Sequence, residues 1–154
     1  MRILYFSPHP THDIVSDVGY STHQREMIEA LRQLGHEVFP VIIGGATIAD
    51  LPKATTTQRP SRLTRLIKSF IPPVLWRTIK DWRLMRHDRL VAGPRLEEAV
   101  KKIKPDLIYE RSEYCLLQGS SIAAKFNIKH IYEVNAPCVE EWLKFEGNSL
   151  LYMN

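Results

Sequence analysis

The chain holds only two cysteines, Cys115 and Cys138, in 154 residues. Their spacing fits neither a disulfide framework nor a zinc-ligand pair, so free thiols in a reducing compartment are expected. No apolar run approaches the length of a membrane-spanning helix. Met1-Arg2 leads directly into the first strand, so no signal peptide is expected. No Gly-x-Gly-x-x-Gly follows that strand and no Gly-Lys-Ser/Thr loop occurs, which argues against a dinucleotide enzyme and against a P-loop. Ser7, Cys115 and Cys138 lack a Gly-x-Ser-x-Gly type of setting, which argues against covalent hydrolase chemistry. Internal repeats, coiled-coil heptads and long low-complexity tracts are also missing.

What is present is an ordinary globular composition, 44% hydrophobic and 25% charged, long enough for one domain with a core that needs no staple. Arg2-Ile3-Leu4-Tyr5-Phe6 reads as a short buried strand broken by Ser7-Pro8-His9-Pro10. The loop runs to Gly19-Tyr20, and Ser21 opens a helix in which Met27, Ile28, Leu31 and Leu34 share a face. Ser21 and Gln24 fit a capping box, and Gly35 fits a left-handed stop. His36-Glu37-Val38-Phe39 begins a second strand, which completes a βαβ unit. In open α/β sheets the loop after a strand's carboxyl end is where ligands bind, and the amide-rich start of the helix welcomes an anion.

Further on, Gly44-Gly45 turns the chain into a threonine-rich stretch. Helices are predicted over 61–70 and 73–90, separated by Ile71-Pro72-Pro73, and Gly93-Pro94 opens another that Lys104-Pro105 ends. Residues 106–110 read as a strand followed by Arg111-Ser112-Glu113. A helix over 114–126, a strand over 129–134 ended by Asn135-Ala136-Pro137, and a helix over 139–145 complete the pattern. The alternation predicts an α/β domain: a Rossmann-like, doubly wound, mainly parallel sheet with a helical basic insertion at about 53–90. Its last helix has no following strand.

The net charge of +4 conceals an asymmetry. Between Lys53 and Arg89 there are ten Lys or Arg residues against Asp81 and Asp88, a balance of +8, while the remainder has eleven basic and fifteen acidic residues, a balance of −4. With Leu75, Trp76 and Trp82 interleaved among Arg77, Lys80, Arg83 and Arg86, the patch suits an anionic membrane surface. Nucleic acid is the less favoured partner, and a solvated helix pair packed on the domain is the plain alternative. His9, His12 and His23 with Asp13 and Asp17 match no standard zinc spacing, so polar cleft-lining residues are expected and no metal. Arg111 is suited either to gripping a phosphate or carboxylate, or to an ion pair with Glu110, Glu113 or Glu133.

Three stretches together resemble the amino-terminal domain of family-four glycosyltransferases, retaining enzymes of the GT-B architecture. They are Arg2-Ile3-Leu4-Tyr5-Phe6 with its loop, Gly19, helix and Leu34-Gly35-His36-Glu37-Val38; Lys104-Pro105-Asp106-Leu107-Ile108-Tyr109-Glu110-Arg111; and Ile131-Tyr132-Glu133-Val134-Asn135-Ala136-Pro137. The resemblance covers all of residues 1–154 except the basic insertion. It implies one half of a GT-B enzyme, the acceptor side, with the donor-binding domain absent from this chain. It further implies transfer of a sugar from a nucleotide-sugar to a hydroxyl of a glycan or lipid-linked acceptor, in glycan biosynthesis, without metal or other cofactor. The setting would be cytoplasmic, peripheral on the inner face of a membrane, and the domain alone would be inactive.

Carried over by position, Gly19, Tyr20 and Ser21 would face the donor diphosphate. Asn135 falls near the place where many relatives carry a histidine that holds the transferred sugar, which makes it the catalytic candidate. His9, His23, Arg111 and Glu133 would line the acceptor or sugar pocket. The rival expectation is a non-catalytic α/β module that docks a protein partner or an anionic surface.

Overall fold

The structure is a computed structural model that describes residues 1–45, 71–114, 116–135, 140, 144 and 149–152. Strand β1 (Arg2–Ser7) is its axis, with Ile3, Leu4, Tyr5 and Phe6 at most 1% exposed. It pairs in parallel with β2 (Glu37–Ile42) on one side and β3 (Leu107–Arg111) on the other, and β4 (Lys129–Glu133) pairs in parallel with β3. The order is therefore β2-β1-β3-β4. Pro40, which has no amide to donate, sits in the edge strand β2, where a lost ladder bond is tolerated.

Alternation along β1 feeds two cores. Ile3 and Tyr5 join Val38, Ile42, Leu107 and Ile28 of helix α1 (Gly19–Gln33) on one face. Leu4 and Phe6 join Ile108 with Ala92, Leu96, Val100, Ile122 and Ala123 on the other. Helices thus cover both faces of a parallel sheet, as alternating βα units require.

Helix α1 ends as the glycine predicts. Gly35 takes φ 82°, its amide bonds Arg32 O at 2.9 Å, and the His36 amide bonds Leu31 O at 3.2 Å, a full Schellman stop. The other end differs from the capping-box expectation. The helix begins at Gly19 with Val18 as N-cap and no side-chain cap. Ser21 is fully buried and donates its hydroxyl to Asp13 O at 2.6 Å, while buried Gln24 reaches Ser7 Oγ at 3.1 Å. Both side chains tie the helix to the preceding loop and to β1 because burial leaves them no freedom to fold back on the helix end.

Helix α2 (Pro73–His87) does not stop before Gly93-Pro94 as the sequence suggests. It passes through a π-helical turn (Asp88–Ala92) straight into α3 (Gly93–Ile103). Pro94 lacks the amide that would close a regular turn, and the wider turn just ahead of it absorbs the loss. Helix α4 (Gln118–Phe126) starts four residues later than predicted, and a short 3₁₀ turn (Leu150–Tyr152) packs near α2, with the Leu150 amide donating to Thr78 Oγ1 at 3.0 Å. Of the remaining predicted helices, 61–70 lies outside the described residues, and of 139–145 only Glu140 and Lys144 are described, both helical. Among the described residues no helix is long and apolar enough to cross a membrane.

The joint between α2 and α3 carries Asp88, whose Oδ2 accepts the Leu117 and Gln118 amides at 2.9 and 3.3 Å and so caps α4 from a distance in sequence. Beside it lies Glu110 of β3, fully buried, accepting the Gly119 amide and paired with His130 Nε2 at 2.8 Å. Burial first, and the Asp88 charge second, push the Glu110 carboxyl up to about 8. A side chain at Gly119 would collide with that carboxyl.

Two outcomes follow for stability. The folded Glu110 holds its proton up to about pH 8, whereas an ordinary carboxyl at 4.5 has lost it, so the group increasingly favours unfolding as pH rises through that window. Glu110→Gln is therefore expected to gain melting temperature relative to the wild type between pH 5 and pH 8, and parallel curves would disprove the buried neutral acid. Gly119→Ala is expected to cost roughly 1–3 kcal/mol through overpacking, read by chemical denaturation.

Candidate functional site

Because all four strands are parallel, the loop after β1, the Arg111 cluster after β3 and Asn135 after β4 open on the same edge of the sheet. β1 connects through α1 on one face and β3 through α4 on the other. The crevice where neighbouring connections diverge, the usual ligand position in such sheets, therefore lies between the ends of β1 and β3.

The β1 loop is held down at several points. Asp13 Oδ1 accepts the Val15 and Ser16 amides at 2.8 and 2.7 Å, closing a tight turn. Arg25 of α1 donates to Ile14 O and Ser16 O, both at 2.9 Å. Gly44, just past β2, allows a close backbone approach. A Cβ there would lie 2.5 Å from Pro10 C and 2.6 Å from His12 N, so only a glycine fits.

This loop presents a column of rings in which His9 stacks on His12 and His12 on Tyr20, each pair 4.2 Å between centroids. Glu113 from the β3 loop closes on His12, with Oε1 2.9 Å from Nδ1. Burial first, and the neighbouring His12 second, lower the His9 imidazole to about 4, so it is neutral at physiological pH.

A second cluster lies where α1 meets β3 and β4. His23 Nε2 stands 2.5 Å from Glu133 Oε1, and the Tyr109 hydroxyl also hydrogen-bonds Glu133. Burial, then the Glu133 charge, push the Tyr109 hydroxyl up to about 12. Arg111 pairs with none of the three glutamates considered from sequence. Its Nη1 donates to Tyr20 O in the first turn of α1 at 3.0 Å, and its Nε is buried without a partner.

The sequence candidates therefore divide. Gly19 is exposed, and a Cβ on it would meet nothing within 4 Å, so the start of α1 faces open space. Tyr20 lies in the ring column and against Arg111. Ser21 shares the first turn, but its amide bonds Val18 O at 3.0 Å and its hydroxyl is committed to Asp13, leaving neither for a ligand. His9, His23, Arg111 and Glu133 all reach the crevice edge. Asn135 is exposed just beyond β4, and its predicted neighbours Ala136 and Pro137 lie outside the described residues.

Sequence reasoning took Glu113 only as a candidate partner of Arg111 and passed over the depth of Glu110. The signal for Glu110 was a charge inside an otherwise apolar strand of a parallel sheet, where neither face is wet. For Glu113 no local signal exists, because its partners lie about a hundred positions earlier. Neither the family models, nor the curated proteins, nor the solved structures contain a match to this chain.

If the Gly44 contact holds the ring column in place, Gly44→Ala is expected to destabilise by roughly 1–3 kcal/mol. It is also expected to speed amide exchange over residues 8–16. Unchanged exchange there would show that the loop stands without that contact.

Proposed function

We propose that the chain is the acceptor-side domain of a retaining glycosyltransferase of GT-B type. In the complete enzyme a nucleotide-sugar donor would yield its sugar to a hydroxyl of a glycan or lipid-linked acceptor. The observation that carries this reading is the start of α1. It opens on the crevice between β1 and β3 with Gly19 exposed, no side-chain cap and no acidic residue in the first turn. Departing diphosphate is an anion, and free amides at a helix start with Arg111 close by stabilise such charge as it develops. By contrast, the start of α4 on the same edge is filled by Asp88 and Glu110 and offers an anion nothing. His23, Glu133 and Asn135 would then meet the sugar or acceptor with hydrogen bonds, as polar groups around a hydroxyl-rich substrate do.

Membrane attachment through α2 belongs to the same reading. Leu75, Ile79 and Trp82 are each between 43% and 51% exposed and recur at helical spacing, and Arg86 lies over the Trp82 ring at 5.3 Å. Arg77 leaves the basic face, being buried and ion-paired with Asp81 at 3.1 Å. An apolar stripe flanked by Lys80, Arg83 and Arg86 suits an anionic lipid surface and the lipid-linked class of acceptor.

The decisive experiment is nucleotide-sugar turnover by the full-length gene product. Gly19→Val is expected to lower kcat/KM at least about tenfold. Its melting temperature should stay near wild type, since the added side chain meets open space. Unimpaired turnover would reduce the loop to a connector. In vesicle sedimentation, Arg83→Glu with Arg86→Glu is expected to abolish binding to anionic lipid, at about 1 kcal/mol per charge. Binding of nucleic acid instead would reject the membrane surface.

A further inference from the structure

His9 and His12 follow the end of β1, and Glu113 follows the end of β3. Each offers one ligand atom, and these atoms all lie within 4.8 Å of one another. The site is partly closed, with the His12 and Glu113 side chains both 17% exposed. His12 Nδ1 is shut off from solvent yet has no aligned hydrogen bond, although Glu113 Oε1 is only 2.9 Å away. Tyr20 braces the outer face of the His12 ring. His9 Nδ1 accepts the Thr11 amide at 3.3 Å, with Thr11 Oγ1 3.0 Å away, so the proton of the neutral ring is on Nε2 and must be released or moved to Nδ1 when Nε2 binds a metal.

We propose that His9, His12 and Glu113 form a binding site for a divalent transition-metal ion of the zinc class. Two imidazoles and one carboxylate suit zinc, manganese or ferrous iron, and supply too few oxygens for calcium or an octahedral magnesium. Metal bonds of about 2.0–2.2 Å draw neighbouring ligand atoms to roughly 3–3.5 Å apart. The present spread closes to that by side-chain rotation, because all three residues stand on loops. Three protein ligands leave a fourth tetrahedral position, as in sites that hold water or a substrate oxygen rather than in closed structural ones. The surroundings limit affinity: the Arg111 guanidinium lies close enough to His9 to oppose a second positive charge there. Micromolar rather than tighter binding is expected. The site shares the crevice of the glycosyl-transfer reading, which also claims His9 and Tyr20, but metal uptake by the chain does not depend on that reading.

Metal uptake by the 154-residue chain tests this directly, with Zn²⁺ titrated by calorimetry and Co²⁺ followed by visible absorption. One ion per chain is expected, with cobalt d–d bands and no thiolate charge-transfer band. His12→Ala and Glu113→Gln are each expected to weaken binding at least about tenfold, the least that losing a ligand should cost. His36→Ala, at the opposite edge of the sheet, should change nothing. Zn²⁺ should raise the melting temperature of the wild type and not of Glu113→Gln, a near-isosteric change that keeps the fold testable if His12→Ala unfolds. Absent uptake, uptake indifferent to both variants, a thiolate band, or a preference for Mg²⁺ would each overturn the proposal.

Discussion

Everything in this domain hangs on β1 being paired in parallel on both sides. A strand so placed has no wet face and no free edge, so its side chains must be apolar and its neighbours must arrive by crossover. Ile3 and Tyr5 commit one face to α1, and Leu4 and Phe6 commit the other to α3 and α4. β1 and its neighbour β3 therefore send their connections to opposite faces, and a crevice between their ends results without any residue being selected to make it. Function can then be placed in the loops, since the sheet beneath them is already determined.

The two helix starts on that edge show how charge is allotted. At α4 the chain spends its own carboxylates: Asp88 takes two amides, and Glu110, neutral by burial, sits against a third. At α1 the first turn holds no acidic residue, the Asp13 carboxylate reaches only the Ser21 hydroxyl in it, and the other nearby ionisable groups are imidazoles, Arg111 and the glutamates that answer them. A fold with two similar helix starts has closed one with its own residues and left the other to whatever arrives.

Much of this architecture was readable from residue order. The apolar run Ile3-Leu4-Tyr5-Phe6, the stop at Gly35 and the break at Pro105 each have a local cause, and each appears where that cause puts it. Failures came where the cause is distant. Ser21 and Gln24 look like a capping box, but the packing of Asp13 and Ser7 claims both. The interruption expected at Gly93-Pro94 became a joint because α4 supplies amides for Asp88 across it. Arg77 reads as part of a basic surface, yet Asp81 and the Tyr114 ring draw it inward. The candidate site followed the same rule. Its edge was legible from strand ends, while the meeting of His9 and His12 with Glu113 depends on two loops that only the sheet order brings together.

The π-helical turn gives the molecule a lever. Helix α2 lies on the outside and α3 against the sheet, and the turn between them joins the two into one continuous helical rod. Its fulcrum is Asp88, which grips the backbone at Leu117 and Gln118, a few residues past Glu113. A torque applied to α2 by anything that seats against its outer face therefore works at Asp88, on the amides of the segment that leads from the crevice into α4.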